Sequence, residues 1–406
     1  MMRWSLPGIQ TRIYLVLLLI LMGGFSQLAA QTPQPDSLNT RDPIDVNFLF
    51  SYYAQDGENS AVTGGKGTQE LSDIAGKVIV HVPMDSLTIL NVETSLNVYS
   101  SASTDRIDFA MSSASSQDAH LEGAASVDRS LAGTRMGLNF GAGGSIESDY
   151  ISASVGGGWS LASKDQSRLF SVNGRAFFDR WIVYLPVEFR KLPNAFEGTD
   201  KRRSYSLGLS YSQIINPRMQ AGISAEAVLQ SGLLSTPFHR VYTSDDTLNA
   251  RLEKLPDHRF KVPLAVRLNY FLGDQVILRF YYRFYWDDFG IRAHTMSLET
   301  PVRIGNALTI FPFYRFHTQT ASEYFQAFGK HAPDAVFVTS DYDLSAFRMQ
   351  KFGAGIQLSP VYGILRFGKR TGSGFFRNMG VRYARYIRSD GLRAWNLTGE
   401  FGFRVP

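Results

Sequence analysis

The chain has 406 residues, no cysteine, 41 Lys+Arg against 36 Asp+Glu, and 13% aromatic residues. Zero cysteine excludes disulfides, iron–sulfur ligation, a thiol nucleophile, covalent haem and a lipid-modified Cys anchor. A net charge of +5 over this length gives no case for nucleic acid, and the aromatic content excludes a disordered chain.

Residues 1–30 read as a signal peptide: Arg3 and Arg12 are basic, Ile13 to Met22 is apolar, and Leu28-Ala29-Ala30 offers a small-residue cleavage site. The apolar run is too short to span ~30 Å of hydrocarbon at about 1.5 Å per residue. Residues 31–44, with Pro33, Pro35 and Pro43, form a lead-in, and 45–406 is expected to be one domain.

That domain alternates with a period of two, the mark of strands. Phe260, Val262, Leu264, Val266, Leu268 and Tyr270 share one face, opposite Lys261, Ala265, Arg267 and Asn269. After Gly273-Asp274, Leu278, Phe280, Tyr282, Phe284 and Trp286 oppose Arg279, Tyr281, Arg283, Tyr285 and Asp287. Strands are expected near 46–54, 75–83, 88–99, 117–129, 133–142, 149–161, 167–182 and 204–214. Others fall near 219–231, 260–272, 275–287, 291–301, 307–318, 347–357, 375–388 and 393–405. A soluble sandwich would also alternate. Three features favour an all-β transmembrane, antiparallel up-and-down barrel of about 16 strands, range 14–18. The strands are long, aromatics such as Trp286, Trp395 and Phe403 crowd the ends of the apolar faces, and short and long connections alternate. Short turns at Pro83–Ser86, Ile215–Arg218, Gly273-Asp274 and Arg303–Asn306 fall on one side. Long stretches at 55–73, 101–116, 232–258 and 319–346 fall on the other. The segment 358–373 is too long for its expected short-turn side.

The phases of the strands turn Arg267, Arg279, Arg283, Arg315, His317 and Arg382 inward, with Asp287, Glu299 and Glu400. Against lipid, a basic side chain would cost about 2–4 kcal/mol at the midplane, so the inward register is strongly selected. Two uses stay open: an ion-pair ladder bracing a narrow lumen, or an electropositive constriction favouring anions. Bulk from Tyr281, Tyr285, Phe311 and Phe313 favours the ladder.

Other motifs dissolve on inspection. Ser60 to Thr68 lacks the first glycine and the following helix of a phosphate loop and reads as a flexible outer loop. Asp288-Phe289-Gly290 matches a kinase tripeptide in letters only. Asp287, Asp288 and His294 could form a rim protease, but one hairpin supplies only part of such a site. The seven histidines are scattered without metal-ligand spacing, and the Ser/Asp-rich stretch 101–120 reads as a solvated loop more than a calcium site. No enzyme, metal or cofactor is expected.

Several stretches resemble the bacterial "domain of unknown function 3570" family. They include Phe50-Ser51-Tyr52-Tyr53, Ser60-Ala61-Val62-Thr63-Gly64-Gly65, Leu234 to Tyr242 and Glu253-Lys254-Leu255-Pro256. Arg283 to Ile291, Ser340 to Ser345 and Gly353-Ala354-Gly355 match as well, in order along nearly the whole mature chain. The resemblance implies an outer-membrane barrel of Bacteroidetes-like bacteria and carries no catalytic residues. It also implies a setting beside flavin-transferase and small lipoprotein genes. The expected partners are outer-membrane lipid, the barrel-assembly machinery and a periplasmic or surface protein. The expected function is a porin-like channel for small polar or anionic solutes. The alternative is a non-conducting scaffold, with an outer-membrane hydrolase behind both.

Overall fold

The computed structural model describes residues 43–100, 117–190, 198–367 and 374–405. The signal peptide, most of the lead-in and the 101–116 loop lie outside the described residues.

Sixteen antiparallel strands close into a barrel. They are β1 (Ile44–Asp56), β2 (Leu71–Asp85), β3 (Thr88–Ser100), β4 (Gln117–Ser130), β5 (Met136–Ile146), β6 (Tyr150–Ala162), β7 (Arg168–Val183) and β8 (Gly198–Asn216). The ring continues with β9 (Met219–Gly232), β10 (His258–Leu272), β11 (Val276–Asp287) and β12, which runs Arg292–Glu299 and resumes at Val302–Ile304. It ends with β13 (Leu308–Gln319), β14 (Phe347–Leu358), β15 (Gly374–Arg388) and β16 (Arg393–Val405). Each strand pairs with the next, and β1 pairs with β16 from Ile44↔Val405 to Asp56↔Arg393, so no sheet edge is left open.

The register keeps one apolar face continuous around the ring. Leu264, Val266 and Leu268 stand opposite Phe284, Tyr282 and Phe280. Large apolar side chains on this face are open to the surroundings, Phe140 at 64% and Ile74 at 62%, which only a hydrocarbon solvent makes favourable. Slipping any strand by one residue would carry its charges into that solvent.

Proline and glycine set the irregularities. Pro301 splits β12, where Thr300 N–H instead donates to Pro312 O at 2.9 Å. Between β9 and β10 the pairing steps from Lys261↔Val228 to Leu264↔Ala225, passing over Pro263, which has no N–H to donate. The strand expected near 133–142 starts three residues later, because Leu131 to Arg135 forms the turn with Gly133 at φ 70°. The strand expected near 204–214 extends outward to Gly198. Within the described part of the overlong 358–373 segment, Leu365–Phe367 replaces β14 as the neighbour of β15 near the short-turn end, and residues 368–373 lie outside the described residues.

Candidate functional site

The inner face is identified by convergence. Glu299 on β12 accepts from Arg382 on β15 at 2.6 Å, a contact spanning two intervening strands that only the concave side allows. The same residue meets Arg279 on β11 at 3.0 Å. Gly353 and Gly355 on β14 clear the ground between them: a Cβ on Gly355 would stand 3.3 Å from Arg382 Cβ, and one on Gly353 3.0 Å from the Phe313 ring. Arg382 then lies over Phe313 at 4.0 Å.

The inward residues divide into braced and unbraced groups. Glu299 ties Arg279 and Arg382, and at the short-turn end Asp45 takes Arg404 at 2.7 Å and Arg377 at 3.3 Å. Glu400 accepts from Asn378 at 3.0 Å. His317 is hydrogen bonded to Thr295 and Gln319. Arg267, Arg283, Arg315 and Lys351 have no carboxylate within salt-bridge distance among the described residues, and Arg283 Nε is buried without a partner. Arg267 instead covers the Tyr281 ring at 5.6 Å. The ladder expected to brace the whole wall therefore covers only part of it, because β10–β15 carry more cations than acids.

Half a ring away the balance reverses. Glu93 on β3 pairs with Lys77, whereas Glu122 and Asp128 on β4 meet neutral donors, Ser95 at 3.4 Å for the first and Asn91 and Asn139 for the second. Strand β4 lies eight places from β12 in the sixteen-strand ring, so the acidic and basic arcs face each other across the lumen. Next to the acidic arc, inner positions on β5 and β6 are small, among them Gly141, Gly143, Ser154 and Gly156. They leave bore where the opposite wall spends it on aromatic and guanidinium groups.

Asp287 differs from the other inward residues. It is 1% exposed, accepts from Arg259 and from Tyr285 Oη at 2.7 Å, and takes the backbone N–H of Phe289 at 3.1 Å and Ile291 at 2.9 Å. Gly290, at φ 86°, completes this outer turn. Asp288 caps Phe260 N–H at 3.0 Å. His294 pairs with Phe284 and bonds Tyr282 Oη, on the lipid-facing side of the sheet. The rim protease constellation is thus taken apart by the pleat: its histidine and Asp287 point in opposite directions.

The long loops build the second part of the site. The 57–70 loop, whose Ser60 to Thr68 stretch is expected to be flexible, holds a 3-10 turn at Ala61–Thr63 and packs Gly64 against the Tyr242 ring. Arg240 donates to Val62 O at 2.6 Å and to Glu188 at 2.5 Å. The β1–β2 and β9–β10 connections are half a ring apart, so this contact reaches across the mouth. Thr243 bridges His331, Lys254 bridges Val338, and Asn59 Nδ2 donates to Asp390 O at 2.8 Å. Around them Val241 and Tyr242 of the β9–β10 connection, Phe289 and Ile291 of the β11–β12 turn and Val338 of the β13–β14 connection are buried, so these segments share an apolar core and form a cap. The sequence offers polar composition there, which hides this core: its apolar residues are isolated singles with no period.

Within the cap, Glu253 accepts from Thr339 Oγ1 at 2.6 Å, Thr236 N at 2.7 Å and His239 Nδ1 at 3.1 Å. Burial works against charge on His239, but Glu253 outweighs it and holds the imidazole above its ordinary value. Burial, with Asp343 close by, pushes the Asp341 carboxyl up to about 6, while burial lowers His331. Because folded Asp341 holds its proton above the ordinary 3.8, its contribution favours the cap in acid and is lost as pH rises through about 6. Asp341→Asn removes this titration. Compared with wild type, the variant cap should resist protease equally at pH 4 and better at pH 7.5, by on the order of 2 kcal/mol. The opposing His331 contribution is common to both proteins and cancels. Equal cleavage rates at pH 7.5 would count against a raised Asp341.

A separate acidic group sits at the rim. Carboxylate oxygens of Asp118, Glu147 and Asp149 lie within 4.8 Å of one another, Ser148 donates to Asp118 at 2.6 Å, and His120 is 3.6 Å from Glu147. Burial raises Glu147.

No curated protein matches the chain in sequence. Among solved structures it is similar to a bacterial polysaccharide outer-membrane secretin, at 11% identity over 90% of this chain and 99% of that one, TM-score 0.44. It is similar also to the outer membrane protein opdK from Pseudomonas aeruginosa, at 6% identity over 89% and 99%, TM-score 0.40. A BenF-like porin from Pseudomonas fluorescens Pf-5 matches at 8% identity over 89% and 99%, TM-score 0.42. The model of the family described as "Protein of unknown function (DUF3570)" matches residues 109–363, more than half of the chain, and the protein, a closed transmembrane β-barrel, belongs to that family.

Proposed function

We propose that this barrel is a passive, non-enzymatic outer-membrane channel for small polar solutes that favours anions. The observation that carries the reading is the unneutralised Arg267, Arg283, Arg315 and Lys351 on one wall of the lumen. Unpaired cations lining a confined low-dielectric passage raise the local anion concentration along that wall, and these four outnumber the unpaired Glu122 and Asp128 on the facing wall. In planar bilayers under a salt gradient, the purified protein should conduct with a reversal potential favouring anions. The triple variant Arg267→Ala/Arg283→Ala/Arg315→Ala should bring the anion-to-cation permeability ratio to about one. A folded barrel that stays silent in both membrane orientations and at both acid and neutral pH would sink the channel.

One observation favours a second reading. The cap crosses the mouth and presents an ordered surface, which suits a scaffold for a cell-surface or periplasmic partner, including a flavin-linked redox system. With no cysteine in the chain, the barrel would house such a carrier without being one.

A further inference from the structure

Beyond the charged arcs, the lumen has a distinct recess on the β6–β9 wall. It is a cavity of about 300 Å³ running along the strands, with Tyr150, Phe177 and Asp179 on one flank and Ser204, Glu226 and Gln230 on the other. The rows are set by the register: Arg202 opposite Gly232, Ser204 opposite Gln230, Ser206 opposite Val228 and Gly208 opposite Glu226.

Its hydrogen-bonding groups are partly spent and partly spare. Buried Asp179 is satisfied by Ser152 at 2.7 Å and Arg202 at 2.8 Å, so this ion pair is internally neutral. Arg202 is further held over the Tyr150 and Trp181 rings. Gln230 gives one amide hydrogen to Ser204 at 3.2 Å, which leaves its carbonyl oxygen and the Ser204 hydroxyl hydrogen available. Glu226 has no cation within salt-bridge distance among the described residues. Phe177 and Val228 supply apolar surface between these groups.

We infer that this recess binds a neutral polyhydroxylated solute, a short oligosaccharide in size and chemistry. Hydroxyls both donate and accept, which matches acceptors at Glu226 and Gln230 interleaved with donors at Ser204 and Ser206. The C–H faces of a sugar ring suit the apolar stretch between them. An anion would meet the Glu226 carboxylate. A cation would be opposed by Arg175, which borders the recess with its guanidinium 5.7 Å over the Phe177 ring. Binding needs access from one end only, so the inference goes beyond the channel reading and does not require conduction.

The test is calorimetric titration of the full-length purified barrel with maltotriose, with gluconate and putrescine as anionic and cationic probes. Saturable maltotriose binding should appear, with Kd at least tenfold weaker in Glu226→Ala and in Ser204→Ala/Ser206→Ala. Variants are first checked for the heat-resistant folded band on gels. No maltotriose binding, unchanged affinity in both folded variants, or tighter binding of either charged probe overturns the inference. Conductance of the same preparation is recorded separately. Binding without conductance removes the channel and leaves the recess, and conductance without binding does the reverse.

Discussion

Gly353→Ala should reduce the yield of folded barrel in the outer membrane by tenfold or more. A Cβ at this position would sit 2.0 Å from Tyr383 O and 2.9 Å from Ala384 Cα, both on the neighbouring β15 backbone. Neither atom can rotate away, so β14 and β15 would have to part where Gly353 pairs with Ala384. Ordinary overpacking costs about 1–3 kcal/mol, and a clash with backbone in a closed ring has no free edge along which to relax. Gly76→Ala on β2 is the matched control, since nothing lies within 4 Å of its added carbon. Folded yield is read from the heat-resistant band of outer-membrane fractions. Equal yields for the two variants would show that β14 is not packed this closely.

The second large effect is expected at Asp287→Ala. The substitution strands Arg259 beneath the outer turn and leaves the Phe289 and Ile291 N–H groups without their acceptor. Arg259 also lies 4.5 Å over the buried Phe289 ring, so the loss spreads into the cap core. Breaking a buried pair of this kind costs about 3–5 kcal/mol. Urea unfolding of the barrel in detergent micelles measures it, and Asp287→Ala/Arg259→Met should recover part of the loss by removing the orphaned charge. A change below about 1 kcal/mol would mean that the turn does not depend on this carboxylate. Ion selectivity should be unaltered, because Asp287 is enclosed and out of reach of a solute.

The barrel was legible because its physics is local and repetitive. A lipid-facing strand must put an apolar side chain at every second position, so Phe260 to Tyr270 and Leu278 to Trp286 declare both their class and their register without reference to any partner. Charges such as Arg283 and Glu299 are fixed inward by the same constraint. What sat outside this constraint was harder to see. The pairing of Arg382 with Glu299 depends on two glycines clearing β14, one of the two strands between them, and nothing in a single strand's pattern records that. Asp287 shares the phase of Arg283, yet a tight turn two residues on converts it from lumen lining to a buried cap. The loop core around Val241, Phe289 and Val338 is assembled from segments about fifty to a hundred residues apart, and the β6–β9 recess from four separate strands. Neither leaves a periodic trace.

The loop bonds at the mouth join residues far apart in the chain: Arg240 reaches back 178 positions to Val62, and Asn59 reaches forward 331 to Asp390. Closing loops of that length is entropically unfavourable until other contacts have brought the ends together. For Asn59 and Asp390 the seam between the first and last strands does so. That part of the cap therefore settles after the cylinder is sealed, and each newly inserted molecule passes through an interval in which the loops at its mouth are still unjoined.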